Sequence, residues 1–354
     1  MQYVTIPGTD LSVSMLGFGN FTFGTTWWGE FTDDDACTLQ RHAVDRGVNF
    51  FDSAPAYGNG RAEELLGRTI REVGRDRLII STKFGYDFYH DPGEEGSHRE
   101  RQQDFSPRAI RFEVEQSLRR MGVDVIDLYQ AHNLKLPEMN DELFATLEAL
   151  QSEGKIRGYG VALGPAIGWR EEGRIALSDY RCATLQTVYN LYEQHPGREL
   201  CELATKLGRG GIMARVPTNS GMLDEEFTSP DHVFAKNDHR KFRDKNWLIY
   251  GLKKNELVRP FAEQCGCSLR QFAFRWLASQ PAMVSIEPNI LTQRDIDDFA
   301  DAADMGPLPA DVLSQLHDLY ERDFDLGEPS HACDLKSSTA DNGAERSAYV
   351  PLGV

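Results

Sequence analysis

Four side chains that follow apolar runs of the sequence could act together on one carbonyl group. Asp52 comes directly after the run at residues 48–51, and Tyr57 lies five residues later in a loop marked by Pro and Gly. Lys83 ends the run "LIISTK", and His132 ends the run "VIDLYQAH". A tyrosine has an ordinary pKa of about 10, and a neighbouring ammonium group lowers this pKa because it favours the phenolate. These residue types therefore suit proton transfer at a substrate oxygen.

This set predicts the reduction of a carbonyl group to an alcohol, or the reverse oxidation. Tyr57 and His132 supply two hydrogen-bond donors for one carbonyl oxygen, and Tyr57 can also give up its proton. A buried Lys83 stays charged only beside an anion, and Asp52 is the expected partner. Since no side chain supplies a hydride, the reaction needs a cofactor that carries one.

The elements that must position these residues form a repeating pattern of short apolar runs and longer amphipathic segments. Residues 106–122 are typical of the helical segments, with Ser106 as the N-cap, Pro107 at the first position and Gly122 at the end. Strands that alternate with helices form a parallel sheet. Eight such units favour an α/β fold of the (β/α)8 TIM-barrel class. The eight runs span residues 14–19, 48–54, 77–83, 125–132, 156–162, 183–190, 211–216 and 283–288.

An open, doubly wound sheet is the competing fold. Such a sheet usually carries a G-x-G-x-x-G loop after a strand, and this sequence has neither that loop nor a Walker-type phosphate loop. In a barrel all strands end at one rim, so we expect the four side chains to meet there. The long inserts at residues 84–105 and 223–246 follow the third and seventh runs and predict long loops at this C-terminal rim.

The predicted domain organisation is a single barrel domain at residues 1–325 and a polar tail at residues 326–354. The tail is rich in turn-forming residues. It is either disordered or laid across the rim of the site, and composition does not decide between the two.

Composition and charge exclude several other classes of function. The formal net charge is −17, and such a surface repels nucleic acid and anionic membranes. No apolar run has membrane-spanning length, and the N-terminal residues lack a signal-peptide pattern. The six cysteines are scattered, which predicts a reduced, cytoplasmic protein. His90 and His98 lie in the insert at residues 84–105, but no metal is expected because this carbonyl chemistry needs none.

Six stretches of the sequence resemble the aldo-keto reductase family and occur in that family's order. Together they cover the chain from about residue 11 to about residue 320. The stretches are "NFFDSAPAYGNGRAEELLG", "LIISTKFG", "SLRRMGVDVIDLYQAHN", "LQSEGKIRGYGV", "LQTVYNLYE" and "GGIMARVPTNSGML". The resemblance implies a (β/α)8 barrel that binds NAD(P)(H) without a Rossmann fold. It also implies that Asp52, Tyr57, Lys83 and His132 form the catalytic tetrad, with Tyr57 as the general acid or base.

The resemblance indicates a nicotinamide site that departs from the family's pattern. The Ser-Asn pair that binds the carboxamide in the family is replaced here by Ala162 and Leu163, whereas Gln186 is retained. Arg215 stands where a side chain usually packs on the nicotinamide ring, which a planar guanidinium can do. Residues 217–223 match the segment that wraps the pyrophosphate. The cofactor residues implied in this half are Gln186, Arg215, Pro217, Asn219, Ser220, Gly221 and Leu223.

The adenosine end departs further from the family members that prefer NADP. The residues implied there are Asn289, Arg294 and Asp295. An aspartate repels a 2′-phosphate, although the adjacent Arg294 provides a compensating charge. The balance favours NAD slightly and leaves use of both cofactors open.

Two tryptophans after the first run are predicted to lie at the rim near the substrate. Trp27 and Trp28 either form a flat platform for a sugar or aromatic ring, or pack in the core or at an interface. Together with the polar insert at residues 84–105, they favour a small-molecule carbonyl or polyol as the substrate. A homo-oligomer is left open.

Two alternative functions are implied by the same resemblance. One is a cofactor-binding regulatory subunit, as in the channel-associated branch of the family, because a fold alone does not determine function. The missing Ser-Asn pair favours this alternative, and the intact set of four polar groups argues against it. The other is an epimerase or isomerase that works through a transient ketone with retained NAD(P).

Overall fold

Eight parallel strands form the barrel that the alternating pattern predicts. In the computed structural model, which describes residues 1–93, 100–164, 169–236, 238–243 and 245–327, each barrel strand pairs with the next in chain order. A parallel bridge between Leu16 and Ile286 closes the ring, so the (β/α)8 prediction is confirmed. After the hairpin strands β1 (Tyr3–Thr5) and β2 (Ser12–Ser14), the barrel strands are β3 (Gly17–Gly19), β4 (Phe50–Asp52), β5 (Ile79–Phe84), β6 (Ile126–His132), β7 (Ile156–Ala162), β8 (Thr184–Val188), β9 (Gly211–Arg215) and β10 (Met283–Glu287).

Helices connect successive barrel strands. The ends of the helix predicted at residues 106–122 agree with the structure: the Ser106 side chain accepts a hydrogen bond from the Ala109 N–H at 3.3 Å, and Gly122 adopts a left-handed conformation. The helices are α1 (Asp33–Asp45), α2 (Arg61–Val73), α3 (Pro107–Met121), α4 (Asp141–Ser152), α5 (Arg170–Ser178), α6 (Gly197–Leu207), α7 (Lys245–Gln264), α8 (Leu269–Ala278), α9 (Gln293–Asp304) and α10 (Ala310–Glu321).

The barrel interior has an apolar lower part and a polar upper part. Successive strand residues point to opposite faces, so Phe50 and Asp52 share one face of β4, and Leu128 and Gln130 share one face of β6. Phe50 and Leu128 belong to an apolar cluster that also contains hairpin residues. The remaining buried members of this cluster are Ile6, Leu11, Val13, Met213 and Val284. The hairpin β1–β2 therefore fills the lower interior, and the polar side chains lie above it at the carboxyl ends of the strands.

The loops at the carboxyl end of the barrel are tied to the strand ends. Gly24, after β3, lies so close to the next loop that an added Cβ would come within 2.6 Å of the Tyr57 backbone. After β5, Tyr86 and Gln103 form an antiparallel bridge. The Gln103 side chain also donates to the carbonyl oxygen of His132 at 2.9 Å. The insert at residues 84–105 is thus anchored beside the end of β6.

Parts of three sequence predictions lie outside the described residues, and positions 237 and 244 of the insert at residues 223–246 are among them. Residues 94–99 of the insert at residues 84–105, which include His98, are not described, and neither are residues 328–354 of the predicted tail. Among the helices of the described ranges, none combines the length and the apolar character needed to cross a membrane.

Candidate active site

A buried ion pair lies at the carboxyl ends of β4 and β5. The Lys83 ammonium donates to the Asp52 carboxylate and to the carbonyl oxygen of Ser53 at 2.9 Å. Lys83 is fully buried, and Asp52 is 2% exposed. Burial opposes the charge on Lys83, but its acidic neighbours, Asp52 foremost, together outweigh burial, and the pKa of Lys83 is raised above its ordinary value. The pair therefore keeps an ammonium group in place beneath the rim.

Three neutral donors complete the surroundings of Asp52. The Ser81 hydroxyl donates to its Oδ1 at 2.7 Å, and Gln130 Nε2 donates to the same oxygen at 3.3 Å. Gln186 Nε2 donates to Oδ2 at 3.2 Å. These donors hold the buried carboxylate of Asp52 in place beside Lys83.

The Tyr57 ring lies beside this ion pair. The Lys83 Nζ atom is 5.0 Å from the centroid of the Tyr57 ring, and the Tyr57 side chain is half-buried. Burial raises the pKa of Tyr57 and Asp52 adds to this effect, whereas Lys83 and Arg215 act in the opposite direction. The net pKa is above the ordinary tyrosine value, so Tyr57 carries its proton at neutral pH.

The His132 ring is held between two tyrosines. Its centroid is 5.8 Å from that of Tyr57 and 4.9 Å from that of Tyr86, and both contacts are edge-on. The Tyr86 hydroxyl accepts a hydrogen bond from Asn133 Nδ2 at 2.7 Å and donates to Glu100 at 2.8 Å. Burial holds the pKa of His132 well below its ordinary value, and the positive charge of Lys83 lowers it further. The imidazole is therefore neutral at neutral pH.

The structure brings together the four residues predicted for catalysis. They converge at one side of the barrel mouth, which is the end of the barrel formed by the carboxyl ends of the strands. Asp52 lies on β4, Tyr57 in the following loop, Lys83 on β5 and His132 on β6. The arrangement offers one phenolic proton and one neutral imidazole at the same place. It can protonate a substrate oxygen and stabilise the phenolate that remains.

A second buried carboxyl group, which the sequence analysis did not single out, lies at the end of β10. Glu287 is 8% exposed, and its Oε2 accepts a hydrogen bond from Gln186 Nε2 at 2.8 Å. Its Oε1 is buried and has no hydrogen-bond partner in the described part of the chain. Burial, reinforced by the negative charge of Asp52, raises the pKa of Glu287 to about 8. The available signal was an acidic residue at the end of a barrel strand, as at Asp52.

Arg215 lies at the end of β9, three strands from β4 around the closed barrel. Its Nη2 donates to the carbonyl oxygens of Leu163 and Gly164, next to the place where the family's Ser-Asn pair is missing. Within the described residues its Nε atom is buried without a partner. Burial lowers the pKa of Arg215, and the neighbouring Tyr57 and Glu287 raise it. A buried donor with an open position fits a bound ligand such as a nicotinamide ring.

The loop after β9 has the conformation of a tight turn. Val216, Asn219 and Ser220 have positive φ angles of 58°, 54° and 57°, and a β-branched residue in this region marks a strained backbone. An added Cβ at Gly221 would lie 2.7 Å from the Glu226 carboxyl group, and the φ of Gly221 is +94°. The backbone conformation of this loop is therefore constrained, with little space for a side chain at Gly221.

The side chains predicted for pyrophosphate binding are mostly engaged within the protein. Asn219 accepts a hydrogen bond from Trp247 Nε1 at 2.6 Å, and the Ser220 hydroxyl accepts one from Arg243 at 3.0 Å. Pro217 and Leu223 are buried. If this loop binds a pyrophosphate, the contacts come mainly from its backbone.

Of the three residues predicted for the adenosine end, Asn289 lies in the loop before α9, and Arg294 and Asp295 lie in the first turn of α9. Asn289 is exposed, and Arg294 is exposed with its Nε 3.8 Å from Asp298. Asp295 instead caps α9, because its carboxylate accepts the Thr292 N–H at 2.8 Å. The same carboxylate pairs with Arg270 at 2.6 Å. The charge of Asp295 is thus compensated by Arg270 rather than by the adjacent Arg294.

The two predicted substrate tryptophans belong to an aromatic cluster beside Tyr57. Phe21 contacts Trp27, Trp28 and Tyr57, with ring centroids 5.5, 5.7 and 5.0 Å apart. All four rings are half-buried. Phe21, which the sequence analysis did not single out, therefore links the predicted platform to the predicted proton donor.

Metal ligands do not cluster in the described part of the chain. No group of three or more His, Cys, Asp or Glu side chains within it is suited to hold a metal ion. His90 is exposed, and its Nδ1 is 2.7 Å from the Asp87 carboxylate. The five cysteines of the described residues are free thiols.

The closed parallel barrel and the four polar groups at its mouth define the class of protein. The sequence model of the "Aldo/keto reductase family" matches residues 15–321. The chain belongs to the aldo-keto reductase family, and the resemblance seen in the sequence is confirmed.

Relatives of this chain include proteins named as a reductase, as a dehydrogenase and as a probable channel subunit. The chain is 31% identical to "Aldo-keto reductase YhdN" of Bacillus subtilis, over 79% of this chain and 82% of that protein. It is 28% identical to "Probable voltage-gated potassium channel subunit beta" of Arabidopsis thaliana, over 88% of this chain and 94% of that protein. The solved structure of "the glycerol dehydrogenase AKR11B4 from Gluconobacter oxydans" is 29% identical, with a TM-score of 0.76 over 90% of this chain and 95% of that chain.

Proposed function

We propose that this protein is a cytoplasmic NAD(P)(H)-dependent oxidoreductase that interconverts an aldehyde, ketone or sugar carbonyl with the corresponding alcohol. The observation that carries the proposal is the Tyr57 phenol beside a buried, charged Lys83 and opposite a neutral His132. Family membership supports the reaction class. The finer assignments below rest on the geometry of the mouth.

The proton step is assigned to Tyr57. In the reducing direction Tyr57 gives its phenolic proton to the substrate oxygen, and the Lys83 ammonium stabilises the phenolate that remains. Asp52 keeps Lys83 charged and fixed in place. His132 is neutral and carries a single N–H, so it donates to the same oxygen without taking up the proton.

A nicotinamide cofactor supplies the hydride when it is bound. The residues assigned to hold it are Gln186 and Arg215 at the mouth, together with the loop at residues 217–223. The Nε of Arg215, which is buried and has no partner among the described residues, is the observation that supports this assignment, since a planar guanidinium stacks on flat rings and donates at its edge. At the adenosine end we retain the slight preference for NAD over NADP.

A polyol, or the sugar carbonyl derived from it, is the proposed substrate class. Trp27, Trp28 and Phe21 provide flat apolar faces next to Tyr57, and the faces of sugars stack on such rings. The relative from Gluconobacter oxydans, described as a glycerol dehydrogenase, supports the same class.

A cofactor-binding regulatory subunit is the second candidate function. The relative from Arabidopsis thaliana, named as a probable channel subunit, favours it. The complete proton-transfer set argues against a regulatory subunit, because Lys83 is buried and held by Asp52 beside Tyr57. A subunit that only senses the cofactor does not need this arrangement.

The test is an absorbance assay of reduced nicotinamide over a panel of aldehydes, ketones, sugars and polyols, with both cofactors and in both directions. Turnover of a carbonyl or polyol supports the proposal. Cofactor binding without turnover of any substrate would favour the regulatory subunit. An epimerase or isomerase would instead release nucleotide when the purified protein is denatured, and would interconvert sugars without added cofactor.

A further inference from the structure

The carboxyl group of Glu287 is a buried acid at the barrel mouth that the proposed proton transfer does not use. It shares one amide with the catalytic set, because Gln186 Nε2 donates both to Glu287 at 2.8 Å and to Asp52 at 3.2 Å. Gly17 of β3 leaves space for the Glu287 side chain, since an added Cβ at Gly17 would lie 3.0 Å from its Cγ. Glu287 is therefore built into the same site as Asp52.

One oxygen of this carboxyl group has no hydrogen-bond partner among the described residues. Oε2 is held by Gln186, and Oε1 is buried with no hydrogen-bond partner in the described residues. A buried polar atom without a partner is costly to a folded protein. Such an atom in a binding site indicates a ligand or a proton that completes it.

The charges that face Glu287 come from three strands. Asp52 on β4 is negative, and Lys83 on β5 and Arg215 on β9 are positive. Tyr57 and His132 are neutral at neutral pH. With Glu287 protonated, the mouth carries a net charge of about +1, counted from one anion and two cations. A cationic oxidised nicotinamide would raise this to about +2, whereas the reduced, uncharged ring would leave it unchanged.

We propose that Glu287 is a binding residue for the oxidised cofactor, and that it releases its proton to solvent when the cationic nicotinamide ring enters the mouth. This inference rests on the proposed function, because it needs a nicotinamide at this site. Ionisation of Glu287 restores the net charge of the mouth and provides an anion for the ring. The proposal fits Oε1, which has no partner among the described residues and becomes part of a carboxylate facing a cation.

The consequence is a difference between oxidised and reduced cofactor that depends on pH. The pKa of Glu287 in the free protein is about 8, so the group is mostly protonated at pH 7. Binding of NAD⁺ is expected to release close to one proton per site at this pH, and binding of NADH none. The affinity for NAD⁺ relative to NADH is expected to rise roughly 25-fold between about pH 6 and 8, which corresponds to a fall in the pKa of Glu287 from about 8 to about 6 on binding.

The experiment is isothermal titration calorimetry of the purified protein with NAD⁺ and with NADH, in buffers of different ionisation enthalpy. Both probes lack a 2′-phosphate, which would itself titrate. The slope of the observed enthalpy against buffer enthalpy counts the protons released. Titration of the wild-type protein alone shows whether a proton is released when NAD⁺ binds and not when NADH binds.

Two variants locate the proton. Glu287→Gln is nearly isosteric, keeps an acceptor for Gln186, and is expected to abolish the proton release and the pH dependence. Glu113→Gln is the matched control, because Glu113 is also buried with its pKa raised to about 8 but accepts from the Gly85 N–H, outside the mouth. If Glu287→Gln does not fold, Glu287→Asp should keep the release and move its pH midpoint.

The outcomes separate this inference from the proposed function. NAD⁺ binding without proton release, equal release with NADH, or release that persists in Glu287→Gln would each overturn the role of Glu287 and leave the oxidoreductase intact. Failure of the wild-type protein to bind either nucleotide would overturn both. Release with NAD⁺ alone that is lost in Glu287→Gln and kept in Glu113→Gln would establish it.

Discussion

The Lys83 ammonium lies 5.0 Å from the centroid of the Tyr57 ring while it donates to the Asp52 carboxylate. This relationship gives each residue a distinct task. Burial keeps the Tyr57 proton on at neutral pH, because it raises the pKa of the phenol. The fixed positive charge of Lys83 stabilises the phenolate once that proton has left. Tyr57 is thereby suited to act as an acid in one direction and as a base in the other.

Removal of the Tyr57 hydroxyl should abolish turnover without removing the cofactor site. Tyr57→Phe keeps the ring that packs on Phe21 and His132 but has no proton to transfer. Loss of a general acid typically lowers the rate by about 10²–10⁴-fold, so we expect kcat to fall by that range. Calorimetry with NADH should give a dissociation constant within about twofold of wild type, or about 0.4 kcal/mol.

The matched control is Tyr159→Phe on β7. The Tyr159 hydroxyl donates to the Tyr180 carbonyl oxygen at 3.3 Å, against α5 and away from the mouth. This variant should turn over normally. Normal turnover by Tyr57→Phe would show that another group supplies the proton.

The two directions of the reaction should respond oppositely to pH. In the proposed mechanism reduction uses protonated Tyr57, whose pKa is raised above 10 by burial, so its rate should stay level through neutral pH and fall only above about pH 10. Oxidation uses the deprotonated phenol and should rise with pH over the same range. His132 adds no inflection near pH 6.5, because its pKa lies well below that value. Profiles of kcat with saturating cofactor test this, and a reduction rate that falls between pH 6 and 7 would contradict a neutral His132.

The positions of the residues proposed for proton transfer follow from the sequence because strand ends in a parallel barrel share one rim. The eight apolar runs correspond to the eight barrel strands, and Asp52, Lys83 and His132 lie at or next to the ends of theirs. Helix ends were equally readable where Ser, Pro and Gly mark them, as at α3. Strand ends and helix ends depend on residues that are close together in the chain, so the sequence alone predicts them.

Other parts of the site depend on contacts between distant strands. Gln186 bridges Asp52 on β4 and Glu287 on β10, and no local pattern reports such a bridge. The pairing of Asp295 with Arg270 on α8 is similar, because the sequence shows only the adjacent Arg294. The hairpin β1–β2 was also missed, since strands of three residues leave too few positions for a period-two pattern.

Glu113 should make the protein less stable as the pH rises. Its carboxyl group is buried, and burial raises its pKa to about 8, above the unfolded value of about 4.3. The stability from this group is full below the unfolded pKa and is lost as the pH rises through about 8. Glu113→Gln keeps an acceptor for Gly85 and should flatten the fall in the free energy of unfolding between about pH 5 and 8.

Urea unfolding at several pH values measures this effect. Glu115→Gln on the same helix is the control, because its carboxylate pairs with Lys155 near the surface. The residual slope in Glu113→Gln should come partly from Glu287, whose pKa is also raised to about 8. An unchanged slope in Glu113→Gln would mean that Glu113 is ionised at neutral pH.

The aromatic cluster should contribute to substrate binding rather than to chemistry. Trp27→Ala and Trp28→Ala each remove one aromatic ring that contacts Phe21 and leave the Tyr57–Lys83 contact in place. An aromatic contact contributes about 0.5–1.5 kcal/mol, so the KM for a polyol or sugar should rise about 2- to 10-fold with kcat little changed. Phe112→Ala, an exposed aromatic on α3, is the control. Unchanged KM in both tryptophan variants would assign these rings to packing alone.

The charge at Asp295 should bias the choice between NAD and NADP. Asp295→Asn removes one negative charge, and the amide oxygen can still accept from Thr292 and cap α9. Arg270 keeps its ion pair with Asp224 at 2.6 Å and loses its ion pair with the carboxylate at position 295. We expect the affinity for NADPH relative to NADH to rise about 3- to 10-fold, which corresponds to about 0.7–1.4 kcal/mol. Asp301→Asn, on the same helix and paired with Arg46, makes the same charge change away from the cap. A ratio that does not change in Asp295→Asn, or changes equally in Asp301→Asn, would show that this carboxylate does not face the ribose.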